Sequence, residues 1–276
     1  RAVSGDRGRA LRTGGARLDG VVPEAGVENE NSGSVPGGGQ RASGSRGTDG
    51  DAFRDAGGGE PGRGPRFDAV VPPGGYLWWY VDGLSDCGRY GLSVIAFVGS
   101  VFSPYYHWAG RRDPDNHVCI NVALYRPAGN RWSMTERGRG AMRRSATSFS
   151  VGPSSIRSEN GEIVIDFDEV SVPRPPAQLL PRRIKGRIRF SPDAVTSRVF
   201  VLDGQGRHRW WPVSPTGRIA IEMARGGENW SGHGYMDSNW GTEPLEKGFT
   251  IWDWARGLMP NGDAVILYDA AHRGGG

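Results

Sequence analysis

The stretch WSGHGYMDSNWG at 230–241 concentrates groups that could carry chemistry, with two Trp, one Tyr, one His and one Asp in a short run. In an extended chain alternate side chains share a face, so Tyr235, Asp237 and Asn239 would point the same way. If that face meets an apolar cavity, the carboxyl group loses its hydration and its pKa would rise from about 3.9 toward neutrality. Such an acid can donate a proton. The alternative is that Asp237 caps a turn and that the Trp residues are ordinary core.

A second cluster, RHRWWP at 207–212, repeats this arrangement. On a strand His208 and Trp210 would share a face, again pairing a proton-active group with an aromatic ring at i and i+2. Two such strands facing one cavity would bring a His, an Asp, a Trp and a Tyr together. For His208 taken alone, a satisfied core or surface histidine is the simpler interpretation.

Acid catalysis through a carbocation suits this set of side chains. Protonation of an isolated alkene creates a cation, which an aromatic face stabilises by about 0.5 to 2 kcal/mol where water is excluded. A nearby His or Asn could orient the attacking water. Templates for other enzymes are missing from the sequence: it has no Walker loop, no dinucleotide fingerprint in a strand-to-helix setting, no metalloprotease helix motif and no nucleophile elbow.

The first 66 residues differ in composition from the rest of the chain. They hold 18 of the 45 Gly but one of the 27 aromatic residues, Phe53, and show no apolar periodicity. A segment that buries so little apolar surface cannot offset its conformational entropy. We therefore expect a disordered extension over 1–66, and a folded part over 67–276 that contains all ten Trp.

Short strands separated by Gly, Pro or Asn predict an all-β fold for the folded part. Helical periodicity is hard to find, although Pro104 to Asp113 could carry a turn or two. Four Pro between 173 and 181 cannot lie inside a central strand, so we place a domain boundary there. Two antiparallel β-barrel domains are expected, over 67–173 and 174–276; the second would be small, which leaves open whether its barrel is complete. Predicted strands are 76–82, 89–102, 117–125, 132–136, 148–151, 154–158, 163–172, 184–190, 198–202, 209–213, 218–223, 249–254 and 265–268.

The net charge and the composition of the chain limit the classes of molecule that it could bind. A net charge of +4 does not indicate nucleic acid. Basic residues do cluster at 137–144 and 182–189, which suits an anionic membrane surface, although a solvated face balanced by acids explains them as well. No run of about eighteen apolar residues is present. Two Cys without a fixed His or Cys spacing indicate no metal site, and we expect no cofactor.

Three uncommon strings are shared with a known family: FDAVVPPGGY at 67–76, WWYVD at 78–82 and GSVFSPYY at 99–106. With the two clusters above, they make nearly all of 67–270 resemble the bacterial carotenoid 1,2-hydratases, also called hydroxyneurosporene synthases. The leader over 1–66 does not resemble the family. The resemblance implies lipocalin-like proteins of two β-barrel domains, in agreement with the boundary placed at the Pro-rich segment.

The resemblance also implies cofactor-independent addition of water across the terminal 1,2 double bond of an acyclic carotene such as neurosporene or lycopene. The family's catalytic positions correspond to Asp237, Tyr235, His208 and Trp210, and all four are intact. It implies Asp237 as the proton donor to C2, Tyr235 and Trp210 as cation stabilisers, and His208 as the group that tunes Asp237 or handles the proton of water. Peripheral contact with the cytoplasmic side of a bacterial membrane would follow from such a substrate.

The hydro-lyase has a rival from another class, a lipocalin-like carrier that binds a carotenoid or another apolar ligand unchanged. A cyclase acting on a polyene is a third option. All need an apolar cavity, and they differ in whether an acid acts at its end and in the product.

Overall fold

The computed structural model describes residues 11–17, 59–60, 62–173, 175, 179–224 and 227–273. Strands dominate the structure. The described residues also form two short α-helices, α1 (Pro104–Trp108) and α2 (Leu245–Gly248), and two 3-10 turns, Pro114–Asn116 and Arg139–Ala141. The strands are β1 (Leu11–Arg17), β2 (Gly59–Glu60), β3 (Gly64–Pro65), β4 (Tyr76–Ser85), β5 (Gly91–Val98), β6 (Val118–Tyr125), β7 (Arg131–Ser133), β8 (Met142–Ser145), β9 (Ser148–Val151), β10 (Ser154–Glu159), β11 (Glu162–Ser171), β12 (Arg182–Pro192), β13 (Phe200–Val201), β14 (His208–Met223), β15 (Trp230–Gly241), β16 (Phe249–Leu258) and β17 (Ala264–His272).

One antiparallel sheet of twelve strands carries most of the fold, in the order β7-β6-β5-β4-β15-β14-β12-β11-β10-β9-β8, with β13 paired to β14. The sheet curls until β7 meets β11, where the N–H of Val172 donates a hydrogen bond of 2.8 Å to the carbonyl of Trp132. Curling lets one face of the sheet enclose a core while the other face turns outward. The sheet thus has the form of a barrel with a β10-β9-β8 extension.

The inner face of the sheet is filled by side chains. On β4, Leu77, Trp79 and Val81 are fully buried in the main hydrophobic core, and β15 adds Met236. The alternate residues of β4 face outward, as the geometry of a strand requires; they include Tyr76, Trp78, Tyr80 and Asp82. The interior of the barrel is therefore a packed core, and any chemistry carried by the alternate positions lies on the outer face.

The hairpin of β16 and β17 covers that outer face. Trp254 packs against Tyr80, with ring centroids 5.5 Å apart, and Tyr268 packs against Trp210 at 5.1 Å. The other edge of β16 pairs with β1, so these three strands form a second, small sheet. The candidate site is the layer between this hairpin and the outer face of the barrel.

The all-β prediction, with an antiparallel sheet, is confirmed, and most strands lie within a few residues of their predicted positions. The Asn160–Gly161 hairpin turn has positive φ at both residues, 53° and 82°, as a two-residue turn with primed geometry requires. One strand, β14, replaces the two predicted over 209–213 and 218–223. It passes Pro212 and Pro215 through two irregularities in its pairing with β15, and such bulges are where a paired strand tolerates Pro.

The predicted boundary at 173 and 174 does not separate two sheets in the described part of the chain. β11 and β12, on either side of the Pro-rich segment, pair with each other over nine positions, and β4 pairs with β15. Of the Pro residues in this segment, the described Pro173, Pro175 and Pro181 lie between these two paired strands. One sheet therefore runs through both predicted domains among the described residues, and the division at 173 and 174 stays a prediction.

Most of the segment 1–66, predicted to be disordered, lies outside the described residues. Leu11–Arg17 differs from that prediction, because it forms strand β1 along the edge of β16. An edge strand offers unpaired backbone N–H and C=O groups, which can pair an extended segment whatever its composition.

The basic clusters are largely neutralised in the structure. Arg137 pairs with the buried Glu169 at 2.9 Å, and Arg183 pairs with Asp168 at 2.5 Å. The balanced, solvated face accounts for these residues better than an anionic surface does. The helices among the described residues are too short and too polar to cross a bilayer.

Candidate active site

The stretch that opened the sequence analysis is β15, held between β4 and β14 in the middle of the sheet. Its register places Tyr235 opposite Asp82, and Asp237 opposite Tyr80. Asn239 lies between Trp78 on one side and Trp210 on the other. Tyr235, Asp237 and Asn239 therefore share the outer face, as the alternation predicted.

Asp237 accepts two hydrogen bonds on a single carboxyl oxygen. The hydroxyl of Tyr235 donates to Oδ2 at 2.9 Å, and the indole N–H of Trp210 donates to the same atom at 3.1 Å. The amide of Asn239 approaches the other oxygen, Oδ1, at 3.4 Å. Three of the four predicted site residues thus meet at one carboxyl group. Asp237 is therefore not the cap of a turn.

Burial dominates the electrostatics of this carboxyl group. Asp237 is 4% exposed, and desolvation raises its pKa from 3.8 to about 7. The hydrogen bonds from Tyr235 and Trp210 oppose this shift because they stabilise the carboxylate, whereas the negative charge of Asp82 reinforces it. Near neutral pH a substantial fraction of Asp237 therefore carries a proton.

Aromatic rings from the covering hairpin close the site. The ring of Trp254 lies 5.2 Å from that of Tyr235, and the hydroxyl of Tyr268 donates to Asn239 Oδ1 at 3.3 Å. Burial raises the pKa of Tyr235 well above its usual value, so its hydroxyl remains a donor. Sequence reasoning did not assign Asn239, Tyr268 or Trp254 to the site. The alternation of β15 was a signal for Asn239, but docking of the hairpin could not be read from local pattern.

A buried ion pair borders the site and was also missed. Arg256, on β16, binds Asp82 through Nε at 2.8 and 3.0 Å and through Nη2. Asp82 also accepts a hydrogen bond of 3.1 Å from the hydroxyl of Tyr80. The alternation of WWYVD placed Tyr80 and Asp82 on one face, but the partner comes from 174 residues further along the chain.

His208 belongs to a neighbouring cluster. It lies opposite Gly241, four residues along β15 from Asp237, which is roughly 13 Å of strand. Its Nδ1 is 2.9 Å from the hydroxyl of Tyr76, and its Nε2 is 3.4 Å from Glu243 Oε1. A Cβ on Gly241 would stand 2.9 Å from His208 Nδ1, so this glycine makes room for the Tyr76–His208 contact. The structure thus places His208 on the predicted face but not against Asp237.

His208 is completely buried, and burial lowers its pKa, so the neutral imidazole is the form expected at pH 7. Asp203, His208 and Glu243 offer three potential metal-ligand atoms within 4.8 Å of one another. Arg207 already offsets one of the two carboxylate charges, with Nη1 at 2.9 Å from Glu243 and Nε at 3.8 Å from Asp203. A guanidinium in that position competes with a cation, so the cluster fits a proton-handling group better than a metal centre.

Family comparison agrees with this geometry. The family model described as "Carotenoid hydratase CrtC" matches residues 94–276, which include every residue of the site except those on β4. The chain belongs to this family. Members of this family are hydro-lyases, and the resemblance drawn from the three sequence strings is confirmed.

Two relatives match almost the whole chain. Acyclic carotenoid 1,2-hydratases from Thiocapsa roseopersicina and Rubrivivax gelatinosus are 48% and 50% identical to it, over 99% of this chain and 67% of their own length. The segment 1–66 lies almost entirely within these alignments, so the expectation that it is unlike the family is wrong. Its Gly-rich composition concealed the similarity. A crystal structure from Nitrosomonas europaea, of a protein provisionally named AttH, matches 72% of this chain and 61% of its own at 16% identity, with a TM-score of 0.48.

Proposed function

We propose that this chain adds water across the terminal C1=C2 bond of an acyclic carotenoid, with Asp237 as the acid. The observation that carries this proposal is a buried carboxyl group that accepts hydrogen bonds from Tyr235 and Trp210 among aromatic rings. An isolated trisubstituted alkene is a weak base, so its protonation needs a positioned acid rather than bulk water. Relatives that match nearly the whole chain are acyclic carotenoid 1,2-hydratases, which supports the same substrate class.

The hydrogen bonds favour Oδ1 as the oxygen of Asp237 that carries the proton. Oδ2 accepts from two donors, Tyr235 and Trp210, whereas Oδ1 accepts one longer bond from the Asn239 amide, so the proposal puts the proton of the acid form on Oδ1. When Oδ1 gives up this proton, the negative charge spreads to Oδ2, where the two donors stabilise it. These donors therefore favour the state that forms during proton transfer.

The reaction then balances with no other reagent. The proton on Asp237 Oδ1 moves to C2, the π electrons form the new C2–H bond, and C1 becomes a tertiary cation. The faces of Trp210, Tyr235 and Trp254 stabilise this cation, by about 0.5 to 2 kcal/mol for each ring in contact. A water oxygen bonds to C1, and its released proton returns to the carboxylate of Asp237. Asn239, held by Tyr268 and adjacent to Oδ1, is placed to orient that water.

His208 takes a supporting role in this proposal. Its distance from Asp237 along β15 argues against direct tuning of the acid, and the neutral imidazole between Tyr76 and Glu243 can instead accept a proton at the other end of the outer face. Replacement of His208 by Gln tests this role: an unchanged pH dependence of the Asp237 step is expected, together with a reduced rate.

Incubation of the protein with lycopene or neurosporene, followed by chromatography, tests the reaction. We expect the 1-hydroxy product, with deuterium at C2 when the reaction runs in heavy water. Binding of the carotenoid without any product would favour the non-catalytic carrier, and a ring-closed product would favour a cyclase.

Loss of either donor to Oδ2 should slow the reaction without abolishing it. Hydrogen bonds to a charged group contribute about 1.5 to 3 kcal/mol, so Tyr235→Phe and Trp210→Phe should each reduce the rate by about 10- to 100-fold. Both donors lower the pKa of Asp237, so each variant should also keep its activity to higher pH than the wild type. Rates measured between pH 5 and 9 check this, with Tyr90→Phe, in the half-buried turn after β4, as the matched control. A donor role is ruled out if either variant matches the control.

Peripheral membrane contact on the cytoplasmic side is part of the proposal, since a carotenoid is held in lipid. Exposed aromatic rings around α1 support it: Tyr105 and Trp108 are 62% and 73% exposed, with ring centroids 5.6 Å apart. Trp and Tyr favour the interface between headgroups and water. Sedimentation with vesicles of phosphatidylcholine and phosphatidylglycerol should show binding that Tyr105→Ser/Trp108→Ser weakens. Leu179→Ser/Leu180→Ser, in an exposed loop, should not weaken it.

A further inference from the structure

The ion pair of Asp82 and Arg256 lies on the same face as the proposed acid and belongs to no step of the reaction described above. We propose that this pair acts as a positioning device for the hydration, because it keeps the charge around Asp237 balanced so that the acid holds its proton. This inference rests on the proposed function and extends it to two residues that take no part in the proposed steps.

The geometry links the pair to Asp237 through Tyr235. Asp82 is paired across the strands with Tyr235, whose hydroxyl donates to Asp237 Oδ2 at 2.9 Å. The guanidinium carbon of Arg256 lies 5.5 Å from the centroid of the Tyr235 ring. Tyr80, directly opposite Asp237 on β4, donates its hydroxyl to Asp82 at 3.1 Å. One tyrosine therefore touches both the acid and the cation, and the other stands between the two carboxyl groups.

The described groups that face Asp237 contain few charges. β4 contributes Tyr80 and Asp82, β15 contributes Tyr235, β16 contributes Arg256 and β17 contributes Tyr268. Burial raises the pKa of all three tyrosines, so they are neutral near pH 7. β14 contributes the indole of Trp210 and, further along the face, His208. Asp82 and Arg256 are thus the formal charges in this immediate group.

Each member of the pair would disturb the acid if it stood alone. A guanidinium near a buried carboxyl group favours the carboxylate, whereas a second carboxylate disfavours it. Asp82 and Arg256 are 3% and 5% exposed, so solvent screens neither charge well. Paired, their fields oppose each other at Asp237, where burial is the largest cause of the raised pKa and the negative charge of Asp82 adds to it.

A purely structural role does not explain why a charged pair occupies this position. Buried ion pairs contribute little net stability, because desolvation offsets their attraction, and an apolar pair of similar volume often serves as well. Arg256 does connect the covering hairpin to the barrel, but Trp254 and Tyr268 already pack that hairpin against the outer face. The charges themselves are therefore the feature to test.

The test is a double-mutant cycle on Asp82 and Arg256, in which the hydration rate of each variant is measured as a function of pH. Asp82→Asn leaves Arg256 unpaired, so the pKa of Asp237 should fall and the alkaline limb of the hydration rate should move down by about one pH unit or more. Arg256→Met leaves the negative charge of Asp82 without its partner, which disfavours the Asp237 carboxylate, so the alkaline limb should move up. Asp82→Asn/Arg256→Met should return the limb to within a few tenths of a unit of the wild type, and Arg256→Lys should resemble the wild type.

Two further measurements keep the outcome decisive. Glu169→Gln breaks another buried ion pair, with Arg137, on a different part of the sheet, and should weaken folding without moving the limb. Infrared difference spectra of the protonated carboxyl band that Asp237→Asn removes report the titration of Asp237 without any substrate. If wild type forms no hydrated product but this band shifts as described in Asp82→Asn, the proposed function fails and the electrostatic inference stands. If band and limb are the same in wild type and Asp82→Asn, the inference is overturned.

Discussion

Replacement of Asp237 by Asn should reduce the rate of carotenoid hydration by about 10²- to 10⁴-fold, the range typical for loss of a positioned acid. Asn keeps the shape of the side chain, and its carbonyl oxygen can still accept from Tyr235 and Trp210. It cannot deliver a proton to C2. Because the substrate still fits, the loss should fall mainly on kcat, with a smaller effect on KM.

The matched control is Asp253→Asn, an exposed aspartate on the outer side of the covering hairpin. It removes one carboxylate from the chain at the same pH but lies away from the enclosed layer, and it should keep the wild-type rate. Measurement of product by chromatography under saturating carotenoid separates the two variants. Equal rates for wild type and Asp237→Asn would remove Asp237 from the reaction, whatever the effect on binding.

The part of the site that follows from local alternation could be predicted, and the part that depends on register could not. Tyr235 and Asp237 are two residues apart, so a single extended strand places them together. His208 and Trp210 obey the same rule, yet their distances from Asp237 differ because Trp210 stands opposite Asn239 and its long indole reaches back to the carboxyl group. His208 stands opposite Gly241, two residues further along β15, and its shorter side chain cannot reach the carboxyl group of Asp237.

The fold class could be predicted because short alternating segments and turn residues leave few alternatives to an antiparallel sheet. Its closure could not, since a Pro-rich segment looks the same in sequence whether it joins two domains or two neighbouring strands. In the described residues the strands on either side of this segment, β11 and β12, pair with each other. Docking of the β16–β17 hairpin, which brings Arg256 and Tyr268 to the site, likewise depends on contacts between distant parts of the chain.

Asp237 should affect the pH dependence of the protein's stability as well as its catalytic activity. The unfolded chain releases the proton of this carboxyl group near pH 4, whereas the folded protein holds it until about pH 7. Between these values the folded state binds more protons than the unfolded state, so the contribution of Asp237 to the free energy of unfolding decreases as pH rises. It is most favourable below pH 4 and reaches its least favourable level above pH 7, a decrease on the order of 4 kcal/mol.

Asp237→Asn removes this proton exchange while keeping the packing, so the comparison between the two proteins isolates it. Surface carboxylates such as Asp168, whose pKa its partner Arg183 lowers to about 2, give the opposite slope in acid, but they are present in both proteins and cancel in the difference. Urea unfolding at pH 4.5, 6 and 8 should therefore show Asp237→Asn gaining stability relative to wild type as pH rises, by several kcal/mol in total. A difference that stays constant over this range would mean that the folded protein does not hold a proton on Asp237 near neutral pH, and the acid would have to be sought elsewhere on the outer face.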